Sequence, residues 1–132
     1  MFIILALVAG GLIPTPVNVY NSDIFPVEAV SWLEANPQSG NVFNHFTWGG
    51  YLLYRLYPAQ KVFIDGQTDF YGEALTREYV TVTTLNPGWE DILNKYKVEW
   101  ALIPTKSALS QALVEKNWEI LYEDPTATIY QR

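Results

Sequence analysis

Two short stretches of this sequence gather the side chains best equipped for chemistry. Residues 44–51 read Asn-His-Phe-Thr-Trp-Gly-Gly-Tyr, and residues 65–71 read Asp-Gly-Gln-Thr-Asp-Phe-Tyr. His45 is a candidate base, Asp65 and Asp69 are candidate carboxylates, and Gln67 offers both a donor and an acceptor. Trp48 and Tyr51 offer aromatic faces of the kind that stack on a sugar ring. These six residues are the candidate ligand-binding set.

Each feature also has a structural reading. His45 is the sole histidine, so no His-based metal cluster can form, and its ring can simply be hydrogen-bonded in place. Asp65-Gly66 is also a turn signal, the carboxylate accepting nearby backbone N–H groups. Asp65, Asp69 and Glu73 are spaced by four, whereas a calcium loop needs oxygens at alternate positions and a closing Glu; no metal is expected. Gly49-Gly50 permits close approach of a ligand or of a packed helix. Neither GxGxxG nor a phosphate loop is present, so no cofactor is expected. Trp48, Tyr51, Tyr54 and Tyr57 fit a sugar platform, a belt at lipid headgroups or a core. Arg55 fits a partner for a rim carboxylate, an anion ligand or an exposed charge. A GxSxG nucleophile elbow is missing, so hydrolase chemistry has no positive support.

The elements that must carry these residues follow from pattern. Pro26 suits a first helical turn, and Val27, Val30 and Leu33 line one face. Residues 36–40, Asn-Pro-Gln-Ser-Gly, form a turn cluster. Residues 41–46 are strand-like, 51–57 helical, and Lys61–Asp65 a strand closed by Gly66. Residues 73–85 read as a helix weakened by β-branched Val80–Thr84. Asn86-Pro87 is a helix start with Asn as cap. Residues 99–103 form a further strand, Ser107 caps another helix, and 118–122 with 127–130 make a hairpin. Strands alternating with helices predict an α/β fold. The sheet is expected to be mostly parallel and flanked by helices, a Rossmann-like three-layer arrangement ending in an antiparallel hairpin. If the first two strands are neighbours in such a sheet, the loops after them share one rim, where ligands bind.

Composition narrows the partners. Nearly half of the 132 residues are apolar, enough to build one domain core. The net charge of −6, with eight scattered Lys and Arg residues, disfavours nucleic acid and anionic lipid. With no cysteine, disulfides and thiolate metal sites are ruled out. The first charged side chain is Asp23, and Phe2–Ile13 is nearly continuous apolar sequence ended by Pro14 and Pro16. As a helix it reaches about 18 Å, short of the roughly 30 Å of a bilayer core. Three readings fit: the end of a transmembrane helix, a poor signal anchor, and a buried core helix. On the first, residues 1–16 are a membrane segment, 17–24 a linker and 25–132 an extracytoplasmic domain. Its partners are then membrane lipid and the membrane-embedded helices of a longer protein.

Three runs, FPVEAVSWL at 25–33, NVFNHFTWGGYL at 41–52 and KVFIDGQTDFYG at 61–72, carry a resemblance. They resemble the C-terminal extracytoplasmic domain of a group of bacterial polytopic membrane proteins. That group is similar to the many-helix (GT-C-like) glycosyltransferases that use lipid-linked sugars. A more distant likeness is to oligosaccharyltransferase catalytic subunits, whose Trp-Trp-Asp-Tyr-Gly motif binds the acceptor sequon. Trp48 matches that motif, and Gly49 stands at its acidic position. In those enzymes the catalytic acids and metal sit mainly in membrane loops, so the resemblance implies a reaction centre outside this chain. The expected role is an accessory domain helping to hold a lipid-linked sugar or an acceptor. The alternative is a non-catalytic structural or protein-interaction module anchored to the membrane.

Overall fold

The structure, a computed structural model, describes residues 21–64 and 68–132, with the backbone alone for 68–71. The apolar segment 1–16, residues 17–20 of the linker, Asp65 and Gln67 lie outside the described residues. Helix α1 (Val27–Ala35) leads into strand β1 (Asn41–Asn44), a 3₁₀ turn (Phe46–Trp48) and α2 (Gly49–Leu56). Then come α3 (Thr68–Thr83), α4 (Trp89–Lys95), β2 (Val98–Pro104), α5 (Ala108–Glu115), β3 (Glu119–Glu123) and β4 (Ala127–Gln131).

The sheet has four strands in the order β1-β2-β4-β3. Only β1 and β2 run parallel; β4 is antiparallel to both β2 and β3. This overturns the expected mostly parallel, Rossmann-like sheet, for two physical reasons. Residues 61–64 form no strand, because a side chain rather than a neighbouring backbone takes up their hydrogen bonds. Second, the terminal hairpin enters the sheet through β4, which occupies the free edge of β2. Residues 127–130 of β4 are all buried, while β3 is the exposed edge. Glu119 and Glu123 on that edge discourage pairing with another chain.

Alternation sends side chains to two cores. Trp100, Leu102, Ala127 and Ile129 face α1 and α2, joining Val30, Leu33 and Leu52. Ala101, Ile103 and Tyr130 face α3, α4 and α5, joining Val82, Leu93 and Leu113. The β-branched run in α3 is helical because Tyr79 and Val82 bury one face of it in the core, and its threonine hydroxyls are satisfied by bonding backward along the helix. Thr81 Oγ1 donates to the Arg77 carbonyl at 2.9 Å, and Thr84 Oγ1 to that of Val80 at 2.6 Å. Gly72, at φ +84°, breaks α3 between its first turn and residues 73–83. Asn86 caps nothing with its side chain: α4 starts after Gly88, whose φ of +92° makes the turn. Ser107 does cap α5, accepting from Ser110 N at 3.1 Å.

Candidate functional site

Asn44, the last residue of β1, joins the two chemically rich stretches. It is fully buried. Its Oδ1 accepts from the backbone N–H of Phe63 at 2.7 Å and of Ile64 at 3.4 Å. Its Nδ2 donates to the carbonyls of Ile64 at 2.7 Å and His45 at 3.0 Å. The carboxamide thus does for residues 63–64 what a neighbouring strand would do, and β1 remains the edge of the ladder. Segment 61–64 is held beside His45 by this side chain.

His45 begins the 3₁₀ turn, with its N–H donating to the Leu102 carbonyl at 3.2 Å and its carbonyl accepting from Trp48 N at 3.1 Å. Its Nδ1 lies 3.3 Å from the Tyr79 hydroxyl of α3. That hydroxyl already accepts from Phe46 N at 2.8 Å, leaving its own hydrogen for Nδ1. We assign the ring proton to Nε2 on that basis. Burial lowers the His45 pKa from its ordinary value of 6.5 and raises that of Tyr79, so the pair is neutral near pH 7. A neutral imidazole can accept or pass a proton, yet no carboxylate among the described residues bonds to this one.

These residues open into a cleft of about 510 Å³, within the usual size of small-molecule sites. It lies at the carboxyl ends of the parallel pair β1 and β2, between α3 and the start of α5. Phe43, Phe46, Ile103 and Leu109 make its apolar wall, and Thr47, Thr76, Thr83 and Ser107 contribute hydroxyls. Apart from His45, none of its described lining residues is ionisable near neutral pH. Among the described residues, no group of three or more His, Asp or Glu side chains is placed to hold a metal.

The other candidate residues are placed elsewhere. Trp48 is only 3 % exposed, its Nε1 donating to the Ile24 carbonyl at 2.8 Å. Its ring meets His45 edge-on at 5.1 Å. Tyr51 is 5 % exposed in the same core as Trp48, its ring tilted against Phe25 at 5.7 Å and its hydroxyl accepting from Arg55. Arg55 pairs with Glu34 at 2.8 Å, and the hydrogen bond to that carboxylate is the main cause raising its pKa. Asp69 is in the first turn of α3, its side chain outside the described residues. Sequence reasoning missed Asn44 and Tyr79. Tyr79 carried one usable signal, lying three residues from Thr76 and four from Thr83 on a helix face. Asn44 carried none, because an asparagine at a strand end reads as a turn residue.

Neither a protein-family model nor a curated protein matches this chain. Among solved structures, it is similar to the C-terminal globular domain of an oligosaccharyltransferase from Archaeoglobus fulgidus. The two share 14 % identity with a TM-score of 0.58, over 80 % of this chain and 94 % of that one. At that identity the likeness is one of fold, and it spans nearly the whole of the archaeal domain.

Proposed function

We propose that the chain is an extracytoplasmic accessory domain of a membrane glycosyltransferase-like protein, helping to hold a lipid-linked sugar or an acceptor. The observation that carries this reading is the fold likeness to an oligosaccharyltransferase domain over 94 % of that domain's length. The motifs at 41–52 and 61–72 support it independently of the structure. On this reading the binding position is the cleft beside His45 and Tyr79, the membrane segment is 1–16, and the chemistry belongs to other parts of a longer protein. Asp65, Gln67 and Asp69 remain candidates for the same rim, because Asp65 directly follows the segment that Asn44 holds. Saturation-transfer NMR against glycans, lipid-linked sugar analogues and acceptor peptides tests it. Transfer that disappears when Thr83→Trp fills the cleft is the expected result; no transfer from any of these compounds removes the reading.

One observation favours the alternative, an interaction module. Tyr54 is 60 % exposed and Tyr57 69 %, an apolar pair at the surface of α2 rather than around the cleft. If this face docks a partner, Tyr54→Ser with Tyr57→Ser abolishes cross-linking to that partner and leaves ligand contacts at His45 unchanged.

A further inference from the structure

Several polar groups at the cleft have settled hydrogen-bond roles. The Tyr79 hydroxyl accepts from Phe46 N and gives its hydrogen to His45 Nδ1, so the imidazole carries its own hydrogen on Nε2. His45 lines the cleft, and among the described residues no group bonds to its Nε2. Thr76, Thr83 and Ser107 line the cleft too, and their hydrogens are already committed. Thr76 Oγ1 donates to the Gly72 carbonyl at 3.1 Å, and Thr83 Oγ1 to those of Tyr79 and Val80, each at 3.2 Å. Ser107 Oγ donates to the Pro104 carbonyl at 2.8 Å and accepts from Ser110 N at 3.1 Å. A hydroxyl has one hydrogen and two lone pairs. While these bonds hold, Thr76, Thr83 and Ser107 can only accept from a ligand, whereas His45 Nε2 can only donate. These groups sit on an apolar wall that includes Phe46.

From this polarity we propose that the cleft takes a neutral saccharide ring, whose hydroxyls donate to Thr76, Thr83 and Ser107 while one of its oxygens accepts from His45 Nε2. Tyr79 is then a positioning residue, acting through His45 by fixing which ring nitrogen carries the hydrogen. A saccharide hydroxyl supplies the hydrogen that each acceptor needs, and the C–H face of the ring packs on an aromatic wall such as Phe46. A carboxylate or phosphodiester brings oxygens without hydrogens, which would lose water only to meet lone pairs. A peptide brings N–H donors, but each comes with a carbonyl that needs a donor in turn. The inference rests on the cleft reading under Proposed function and narrows its ligand to a sugar rather than a peptide acceptor.

His45 is the sole histidine, so the full chain labelled with ring-¹⁵N histidine gives a single imidazole to follow by NMR. At neutral pH the free chain should carry the ring hydrogen on Nε2, and Tyr79→Phe should divide it between the two nitrogens. The probes are methyl glycosides of glucose, galactose, mannose and N-acetylglucosamine, with acetate and a blocked sequon tripeptide beside them. At least one glycoside should move the Nε2 signal, and Thr83→Val, which keeps the shape and removes the acceptor, should weaken its binding about five- to tenfold. Tighter binding of a farnesyl-phosphate glycoside marks the sugar as lipid-linked, and equal binding marks it as a free glycan; either supports the inference. A free chain with the hydrogen on Nδ1 overturns it, as does glycoside binding that Thr83→Val leaves unchanged. A signal moved by the tripeptide or acetate alone also overturns it, the tripeptide result preserving the accessory-domain reading. If no probe moves the signal, the inference falls; saturation transfer to a glycan elsewhere on the domain then preserves that reading, and its absence removes both.

Discussion

At the scale of single residues, His45 and Asn44 have effects that can be measured separately. Burial places the folded pKa of His45 below the 6.5 of the unfolded chain. Below pH 6.5 the unfolded chain therefore binds more protons, and stability falls with pH. The His45 contribution is complete above about pH 6.5 and is lost as pH drops through the folded value. We expect the wild-type denaturant midpoint to decline through this window, and His45→Gln to flatten that part of the slope. An equal slope in both proteins contradicts the assignment. Asn44→Ala removes the partners of the Phe63 N–H and the Ile64 carbonyl. Two buried polar groups left unpaired cost about 2–4 kcal/mol. Urea unfolding followed by tryptophan fluorescence measures that loss, and amide exchange at Phe63 should accelerate with it. Tyr79→Phe leaves Phe46 N without its acceptor and is expected to cost about 1–2 kcal/mol.

At the scale of elements, the short segments depend on their ends. α5 has eight residues and starts at the cleft, with Ser107 supplying its cap. Ser107→Ala should destabilise the domain by about 1 kcal/mol, and Ser107→Asp should restore most of it. The turn between α1 and β1 depends on Gly40, at φ +90° with the Glu99 side chain over it. A Cβ at Gly40 would lie 2.5 Å from Glu99 Cγ, so Gly40→Ala is expected to cost about 1–3 kcal/mol. Thermal unfolding checks both substitutions. The order of the elements was readable because helical stripes and β-rich runs differ in period. The expected strand 61–65 has strand composition, but over its described residues 61–64 the hydrogen-bond partner of Phe63 and Ile64 is the Asn44 side chain, which no periodicity reports.

At the scale of the molecule, the cleft opens where the parallel pair β1 and β2 ends. Among the described residues no helix is long and apolar enough to cross a membrane; the membrane reading concerns residues 1–16. It makes a prediction about size. An antibody against residues 23–132 should detect, in native membranes, a species far larger than this chain's 15.1 kDa. A species of that mass would turn the proposal toward a small anchored protein with an interaction role.

Sequence alone determined the local matters: the helices that follow Pro26 and Ser107, the cap at Ser107, the terminal hairpin, and the concentration of reactive side chains around 44–51 and 65–71. Those properties depend on neighbours within a few residues, so pattern and propensity report them. Tertiary structure decided which strands pair and which aromatics are buried. Trp48 and Tyr51 look alike in the sequence as stacking surfaces, yet both are core residues, one anchored to Ile24 and the other bonded to Arg55. Strand order depends on contacts such as Asn44 with Ile64, twenty residues apart, and β2 with β4. Such pairings are chosen by packing and by the need to satisfy every buried polar group, and that competition is settled only when the whole chain is folded.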